Sequence, residues 1–280
     1  MTKDKAAPVA SAEAARNLVI RIVVALVLAP VALAIAYAGG WLWIALVVLA
    51  AAGLHVEWLN VVGALQVNTA ATGAIALVLA GFCLASGQIG AAVLVLALGL
   101  AAVAWLSPRL RRWAMGGFCY SAAAELASVL IRRDQVWGFV ALLLVLLVVW
   151  GTDIGGYFAG RGIGGPKLWP RVSPRKTWAG AIGGLVASLA VVAGFAAFGL
   201  GRIGPLLLLG SLLSIVSQLG DLFESAVKRR FGVKDSSHII PGHGGLLDRL
   251  DGFIAAAILA AVFGLLRGGL DGVGRGLMVW

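Results

Sequence analysis

The ionisable residues of the sequence are densest between positions 217 and 252, where two pairs of carboxylates flank a basic, glycine-containing segment. Asp221 and Glu224 are three positions apart, so a helix would carry both on one face, and Asp248 and Asp251 repeat that spacing. Mg²⁺ is commonly held by one or two carboxylates together with substrate phosphate oxygens. Lys and Arg side chains and the amides of a glycine loop can bind the remaining phosphate charge. These residue types and spacings therefore indicate a site for a hard cation and a polyphosphate.

The same charges also have a purely structural interpretation. Lys228 lies four positions after Glu224, so the two could form an ion pair within a membrane helix. The basic residues between 228 and 234 could anchor the chain to anionic headgroups. Neither explanation accounts for the two glycines that follow His243 and precede the Asp-Arg-Leu-Asp run. Both interpretations stay open on spacing alone.

The composition identifies the surroundings of these residues as a membrane. Of the 280 residues, 61% are apolar and 12% are charged, whereas about a quarter of the residues of a soluble domain are charged. The apolar residues form long runs, such as the one at 140–150. A soluble domain, a disordered chain and a nucleic-acid-binding domain are excluded. We expect an all-α, polytopic integral membrane helical bundle that has no nucleic acid as a partner.

Nine apolar segments have about the length that crosses a bilayer. They lie at 22–38, 41–59, 69–86, 89–106, 114–131, 136–158, 178–200, 204–226 and 252–267. Basic segments collect on the cytoplasmic side of membrane proteins, so the N-terminus, 107–113, 161–176 and 228–249 should share that side. All four basic segments can share the cytoplasmic side only if the weakest apolar segment, 114–131, also crosses the membrane. The same arrangement predicts a cytoplasmic N-terminus. The formal charge of +10 agrees with basic loops that face anionic headgroups.

The chain divides into three regions, none of them a soluble domain. Residues 1–17 are predicted to be a disordered polar N-terminus, and residues 18–113 to form N-terminal transmembrane helices. Residues 114–280 are predicted to be a C-terminal transmembrane catalytic region with cytoplasmic loops at 159–177 and 227–251. We find no internal repeat of the kind that suggests an inverted-repeat transporter.

The segment 225–251, Ser-Ala-Val-Lys-Arg-Arg-Phe-Gly-Val-Lys-Asp-Ser-Ser-His-Ile-Ile-Pro-Gly-His-Gly-Gly-Leu-Leu-Asp-Arg-Leu-Asp, resembles the signature of the phosphatidate cytidylyltransferases, the CDP-diacylglycerol synthases. Segment 151–161 resembles the family's intramembrane Asp followed by Tyr and Gly-Arg, and 173–180 resembles its Ser-Pro-Lys-Lys-Thr-Trp-Glu-Gly loop. Glu57 lies where the family tends to have a Glu. Ala179 departs from the family, which commonly has Glu there, so any support which that Glu gives elsewhere is missing here.

The resemblance implies the reaction of CTP with phosphatidic acid to give CDP-diacylglycerol and pyrophosphate in phospholipid biosynthesis. The lipid phosphate would attack the α-phosphorus of CTP in line, with metal assistance. The resemblance implies Mg²⁺ as cofactor and is compatible with a second cation such as K⁺. The expected partners are CTP, phosphatidic acid and membrane lipids, and the many small residues are compatible with a homodimer. We expect a multi-pass protein of the bacterial inner membrane with its active site on the cytoplasmic side.

The candidate site residues fall into four overlapping groups. The predicted metal ligands are acids in or near membrane helices, with two principal ligands, Asp221 and Asp248, and two further ones, Glu224 and Asp251. The predicted nucleotide- or phosphate-binding residues lie in the two basic loops: Ser173, Lys176, Thr177, Lys228, Arg229, Lys234, Asp235, His243, Gly244, Gly245 and Arg249. The predicted catalytic residues are Asp221, Asp248, Lys228 and His243. The predicted supporting residues are Asp153, Tyr157 and Arg161.

Several of these assignments have structural alternatives. Glu224 and Asp251 could pair with Lys228 and Arg249 instead of binding a metal. The basic side chains could be headgroup anchors, and His243 could be a structural hydrogen-bonding residue. Asp153 could hydrogen-bond a neighbouring helix.

Three other classes of membrane protein compete with the transferase interpretation. A transporter or channel would need ionisable groups at several depths, whereas these cluster at one predicted face within 151–252. Another lipid nucleotidyl- or phosphoryl-transferase, such as a CTP-dependent polyprenol kinase, could share the metal-phosphate chemistry and is separated only by the signature. A purely structural membrane protein would leave the constellation at 217–252 unexplained. Glu125 receives no role in any of them.

Overall fold

The computed structural model describes residues 26–237 and 244–280, which form a helical bundle with one short β-hairpin. The elements in chain order are α1 (Leu26–Ala38), α2 (Gly40–Val61), α3 (Val67–Ala85), α4 (Ile89–Leu106), α5 (Arg111–Arg133), α6 (Gly138–Gly162), β1 (Lys167–Trp169), β2 (Ser173–Thr177), α7 (Trp178–Ala197), α8 (Ile203–Arg230), α9 (Leu247–Gly268) and α10 (Val273–Met278). Eight of the described helices, α2 to α9, are long and apolar enough to cross a membrane. The predicted all-α polytopic fold is confirmed. The count of nine crossings and the orientation of the N-terminus stay predictions, and the polar segment 1–17 lies outside the described residues.

The long helices follow from their composition. A helix rises about 1.5 Å per residue, so 18 to 28 residues span about 27 to 42 Å, which matches the hydrocarbon thickness. Large apolar side chains such as Trp105 and Leu266 cover the outside of the bundle, where the surrounding solvent is lipid. Inside, small residues let the helices approach closely: a Cβ on Gly155 of α6 would lie 2.7 Å from the carbonyl oxygen of Gly183 of α7.

The helices that carry the charged residues extend beyond the predicted apolar segments. Helix α8 continues to Arg230 rather than ending at 226, and α9 begins at Leu247 rather than 252. Lys228 and Asp248 therefore lie on helices and not in a loop. The apolar pattern predicts only the part of a helix within hydrocarbon, whereas the polar end turns are stabilised by the contacts described below.

The predicted cytoplasmic loop at 159–177 also contains regular structure. Helix α6 runs to Gly162, and β1 pairs antiparallel with β2, so that Lys167 lies opposite Thr177 and Trp169 opposite Ser173. The hairpin lies at the end of the bundle where α6 and α8 end and α9 begins. Helix α7 starts directly after β2, which fixes the hairpin to the membrane helices.

Asp134 connects helices at the end of the bundle opposite the hairpin. Its carboxylate accepts hydrogen bonds from the backbone N–H groups of Val136 (3.0 Å), Trp137 (2.9 Å) and Arg275 (2.8 Å), and so joins the start of α6 to α10.

We expect Asp134→Asn to lower the free energy of unfolding by about 2–4 kcal/mol, because an amide nitrogen would face buried donors. An SDS titration or a thermal unfolding curve measures this. An unchanged midpoint would show that the carboxylate contributes nothing at this end.

Candidate functional site

A polar cavity of about 420 Å³ lies where α6 and α8 end and α9 begins. It is lined by six carboxylates and two cations: Asp153, Asp221, Glu224, Asp235, Asp248, Asp251, Lys228 and Arg249. All eight residues are among those predicted from the sequence, and they come from α6, α8, α9 and the segment after α8. The structure thus brings the predicted clusters together at one end of the bundle, while their chemical roles stay predictions.

Lys228 is the buried cation of this cavity. Its ammonium nitrogen lies 2.6 Å from Oε2 of Glu224 and 2.5 Å from Oδ1 of Asp248. The side chains of Glu224 and Lys228 are 2% and 11% exposed, so the ion pairs form with little water. The predicted shared face of Glu224 and Lys228 is confirmed. The partner on α9, Asp248, was not expected from spacing, and this second pair holds α8 against α9.

Asp248 lies in the first turn of α9, where the helix dipole favours a negative charge. Its Oδ2 accepts hydrogen bonds from the backbone N–H and hydroxyl of Ser236 (3.0 and 2.9 Å) and from the N–H of Gly245 (3.0 Å). A carboxylate oxygen offers about two lone pairs, so Oδ2 is fully occupied. Only Oδ1, which faces Lys228, could also bind a cation. The sequence predicts that the Gly245 amide binds phosphate. In the structure this amide donates to the carboxylate of Asp248 instead.

Asp221 is the carboxylate through which the hairpin contacts the cavity. It forms an ion pair with Lys176 of β2, and the hydroxyl of Ser225 lies 3.4 Å from its Oδ1. Both partners of the ion pair are partly exposed, with 26% and 35% of their side-chain surfaces accessible. The pair can therefore open when an anion competes for the lysine.

Asp153 and Asp251 are two helix-borne carboxylates of the cavity with few hydrogen-bond donors. Within residues 26–237 and 244–280, Asp153 makes no hydrogen bond or ion pair, and Asp251 accepts only the N–H of Gly252, at 2.7 Å. The hydroxyl of Tyr120 lies 3.4 Å from the backbone carbonyl oxygen of Asp251. Carboxylate oxygens without protein donors are left to bind water or a cation.

The donor set fits a hard cation that shares its ligands with a substrate. Among the described residues, no three His, Cys, Asp or Glu side chains form a ready-made metal cluster. Mg²⁺ does not need one, because it usually takes one or two carboxylates and completes its shell with phosphate oxygens and water. Asp221, Asp251 and Oδ1 of Asp248 provide such oxygens on the cavity wall.

Other predicted residues lie away from the cavity wall and have structural contacts. The hydroxyl of Thr177 caps α7 by accepting the N–H of Gly180 at 3.1 Å. Arg229 donates to the carbonyl of Val233 at 3.1 Å, just beyond the end of α8. Arg161 donates to the hydroxyl of Tyr157 at 2.9 Å on an exposed face of α6.

The remaining predicted residues have no contact that assigns a role. Ser173 lies in the hairpin, and Lys234 follows α8, neither of them on the cavity wall. Gly244 has a φ of 88°, which favours glycine. His243 lies outside the described residues, so its role stays a prediction. Glu125 is fully buried in α5, apart from the cavity, and neither of its carboxylate oxygens has a hydrogen-bond partner in the described part of the chain.

Glu57 contacts residues next to the cavity, although the residue spacings did not predict this position for it. It is 1% exposed at the end of α2. Its carboxylate accepts hydrogen bonds from the hydroxyls of Ser236 (3.0 Å) and Ser237 (2.6 Å) and from the N–H groups of Leu246 and Leu247 (both 2.8 Å). Two sequence signals are available: Glu57 is the only acid in the otherwise uncharged segment 22–108, and it lies where the resembled family tends to have a Glu.

Comparisons with known proteins connect this geometry to one group of enzymes. A family described as the cytidylyltransferase family matches residues 19–266. Phosphatidate cytidylyltransferase of Brucella suis biovar 1 is 52% identical over 159 residues, which cover 56% of this chain and 58% of that protein. The Bacillus subtilis protein of the same name is 43% identical over 140 residues, covering 49% and 50% of the two chains. The Haemophilus influenzae protein is 45% identical over 137 residues, covering 47% and 48%. The match to the Brucella relative thus spans less than two thirds of that protein's length.

Proposed function

The chain belongs to the cytidylyltransferase family, and we propose that it transfers the cytidylyl group of CTP to phosphatidic acid. The products are CDP-diacylglycerol and pyrophosphate, which places the reaction in phospholipid biosynthesis. The name that the relatives carry, phosphatidate cytidylyltransferase, supports this choice of substrates. The observation that carries the proposal is the cavity of six carboxylates, one lysine and one arginine at one end of a bundle of apolar helices. There a lipid headgroup and a water-soluble nucleotide can meet.

The reaction requires two polyanions to approach each other. An oxygen of the lipid phosphate forms a bond to the α-phosphorus of CTP while the bond from that phosphorus to the bridging oxygen breaks, and pyrophosphate leaves with the electron pair. The attacking oxygen is already anionic, so no strong general base is needed. Positioning and charge stabilisation supply most of the acceleration.

Two cations of the cavity, Lys228 and Arg249, and one beside it, Lys176, have different proposed roles. Lys176 is partly exposed on the hairpin, so it can leave Asp221 and bind a phosphate group of the incoming substrate. Lys228 is buried between two carboxylates, and we assign it to holding Asp248 in place as well as to lowering the negative potential of the cavity. Arg249 lines the same wall and is placed to bind phosphate.

The proposed cation site uses Asp221 and Oδ1 of Asp248, with Asp251 as a further ligand and Glu224 as the partner of Lys228. Mg²⁺ bound there would neutralise phosphate charge and make the α-phosphorus more electrophilic. K⁺ as a second cation and a homodimer stay predictions. The cytoplasmic position of the cavity in a bacterial inner membrane is proposed because CTP and Mg²⁺ are available on that side.

A transport function is less well supported, because the described carboxylates of the cavity group at one end of the bundle instead of forming a path across it. A polyprenol kinase would use the same kind of cavity but transfer the γ-phosphoryl group and release CDP. The acceptor and the leaving group therefore distinguish these two transferase functions.

The test uses the purified full chain in mixed micelles with Mg²⁺, radiolabelled CTP and one lipid at a time. We expect phosphatidic acid to give CDP-diacylglycerol and an equal amount of pyrophosphate, and no product with diacylglycerol. A phosphorylated polyprenol with CDP release would replace the proposal by the kinase function. Ion flux in liposomes without any lipid product would contradict both transferase functions.

A further inference from the structure

We propose that Glu57 is a positioning residue of the reaction, which holds residues 245–247 so that Asp248 presents one oxygen to the cavity. This inference rests on the proposed function. Glu57 belongs to α2, outside the part of the chain where the other site residues lie, and it does not line the cavity.

Glu57 lies within hydrogen-bond distance of four donors. Two hydroxyls and two backbone N–H groups converge on its carboxylate, and the two N–H groups belong to Leu246 and Leu247 at the start of α9. These amides have no partner within a helix, since the first N–H groups of any helix lack one. Glu57 thus caps α9 from a separate helix. Three of these hydrogen bonds, and a fourth when the Ser236 hydroxyl donates to Glu57, compensate the carboxylate for its burial.

Glu57 is connected to Asp248 through the hydroxyl of Ser236. The hydroxyl of Ser236 lies 3.0 Å from Oε2 of Glu57 and 2.9 Å from Oδ2 of Asp248. A hydroxyl carries one proton, so it donates to one of the two carboxylates at a time. When a cation approaches Asp248, the hydroxyl can turn to Glu57 and leave Oδ2 with its two backbone donors. The charge at one carboxylate therefore changes the hydrogen bonding of the other.

The packing around Gly245 is close. A Cβ at this position would lie 2.7 Å from Oε2 of Glu57 and even nearer to the hydroxyl of Ser236. Only glycine allows this backbone to pass between the two carboxylates while its N–H bonds Asp248. The second glycine of the His-Gly-Gly motif is thereby explained by the packing of Glu57 and Ser236, without a contact to substrate.

The test compares Glu57→Gln with Asp134→Asn in the full-length protein. Both remove a buried carboxylate that accepts backbone N–H bonds at a helix start, but Asp134 lies at the other end of the bundle. Outer-shell partners of metal ligands typically contribute 10–100-fold to metal affinity or activity. We expect Glu57→Gln to raise the half-saturating Mg²⁺ concentration about tenfold and to lower kcat by about 10–100-fold. Asp134→Asn should lower the unfolding temperature with both parameters within about twofold of the wild type.

A measurement that does not depend on turnover accompanies the assay. Hydrogen exchange of the Leu246 and Leu247 amides should be slow in the wild type and in Asp134→Asn and faster in Glu57→Gln. Ser236→Ala, which keeps the Glu57 charge but removes the bridging hydroxyl, should also raise the Mg²⁺ requirement, and it provides the test if Glu57→Gln does not fold. The proposal is overturned if the folded Glu57 and Ser236 variants keep the wild-type Mg²⁺ dependence. An inactive wild type contradicts the proposed function instead, and the exchange rates still decide whether Glu57 orders this segment.

Discussion

Asp248→Asn is expected to lower kcat/KM for CDP-diacylglycerol formation by about a thousandfold or more. The wild-type carboxylate accepts two backbone hydrogen bonds at Oδ2, shares the Ser236 hydroxyl with Glu57, and forms an ion pair with Lys228 at Oδ1. An asparagine has one acceptor oxygen, so its NH₂ group must face either the backbone donors or Lys228. Hydrogen bonds to charged groups contribute about 1.5–3 kcal/mol each, and the loss of two corresponds to about two to four orders of magnitude. The assay is the same lipid-product measurement, performed over a range of Mg²⁺ concentrations.

Asp271→Asn is a suitable control for this variant. Asp271 is a carboxylate at the opposite end of the bundle, 87% exposed and paired only with Arg133 in the described part of the chain. Its removal should leave activity unchanged, because exposed ion pairs contribute little. If Asp248→Asn retained more than about a tenth of the wild-type rate, the assignment of this carboxylate to the reaction would be wrong.

The membrane helices could be predicted from the sequence because hydrocarbon imposes a length and an apolar composition on every crossing. Each of the nine predicted segments overlaps one of α1 to α9. The ends of α8 and α9 could not be predicted in this way, since their last and first turns are polar. Those turns depend on Lys228 between two carboxylates and on the Glu57 cap, which are tertiary contacts.

The carboxylate cavity could be predicted because two kinds of information agreed. Spacing placed Asp221 near Glu224 and Asp248 near Asp251 on helix faces, and the cost of burying a charge singled out Asp153. The contribution of Glu57 could not be found from spacing. It lies 179 positions from Ser236 and 190 from Leu247, and no local pattern relates residues at that separation.

Lys228→Met is expected to have the second large effect, on stability as well as on activity. It would leave Glu224 and Asp248 without their shared cation, and Glu224 has only 2% of its side chain exposed. Breaking a buried ion pair by removing one partner costs about 3–5 kcal/mol. We expect the free energy of unfolding to fall by that amount and product formation to fall by at least about a hundredfold, since two unpaired negative charges would repel the phosphates of both substrates.

The double variant Lys228→Met with Glu224→Gln separates the two interpretations of this lysine. Replacing Glu224 removes one of the two unpaired carboxylates, so about half of the lost free energy of unfolding should be recovered. The Glu224→Gln single variant completes the double-mutant cycle. If Lys228 were only an intramembrane ion-pair partner, activity would recover together with stability. The contact with Asp248 at 2.5 Å argues otherwise, because that carboxylate also faces the cavity. We therefore expect the double variant to be nearly as inactive as Lys228→Met despite its higher unfolding midpoint, and parallel recovery of both quantities would refute a role of Lys228 in the reaction.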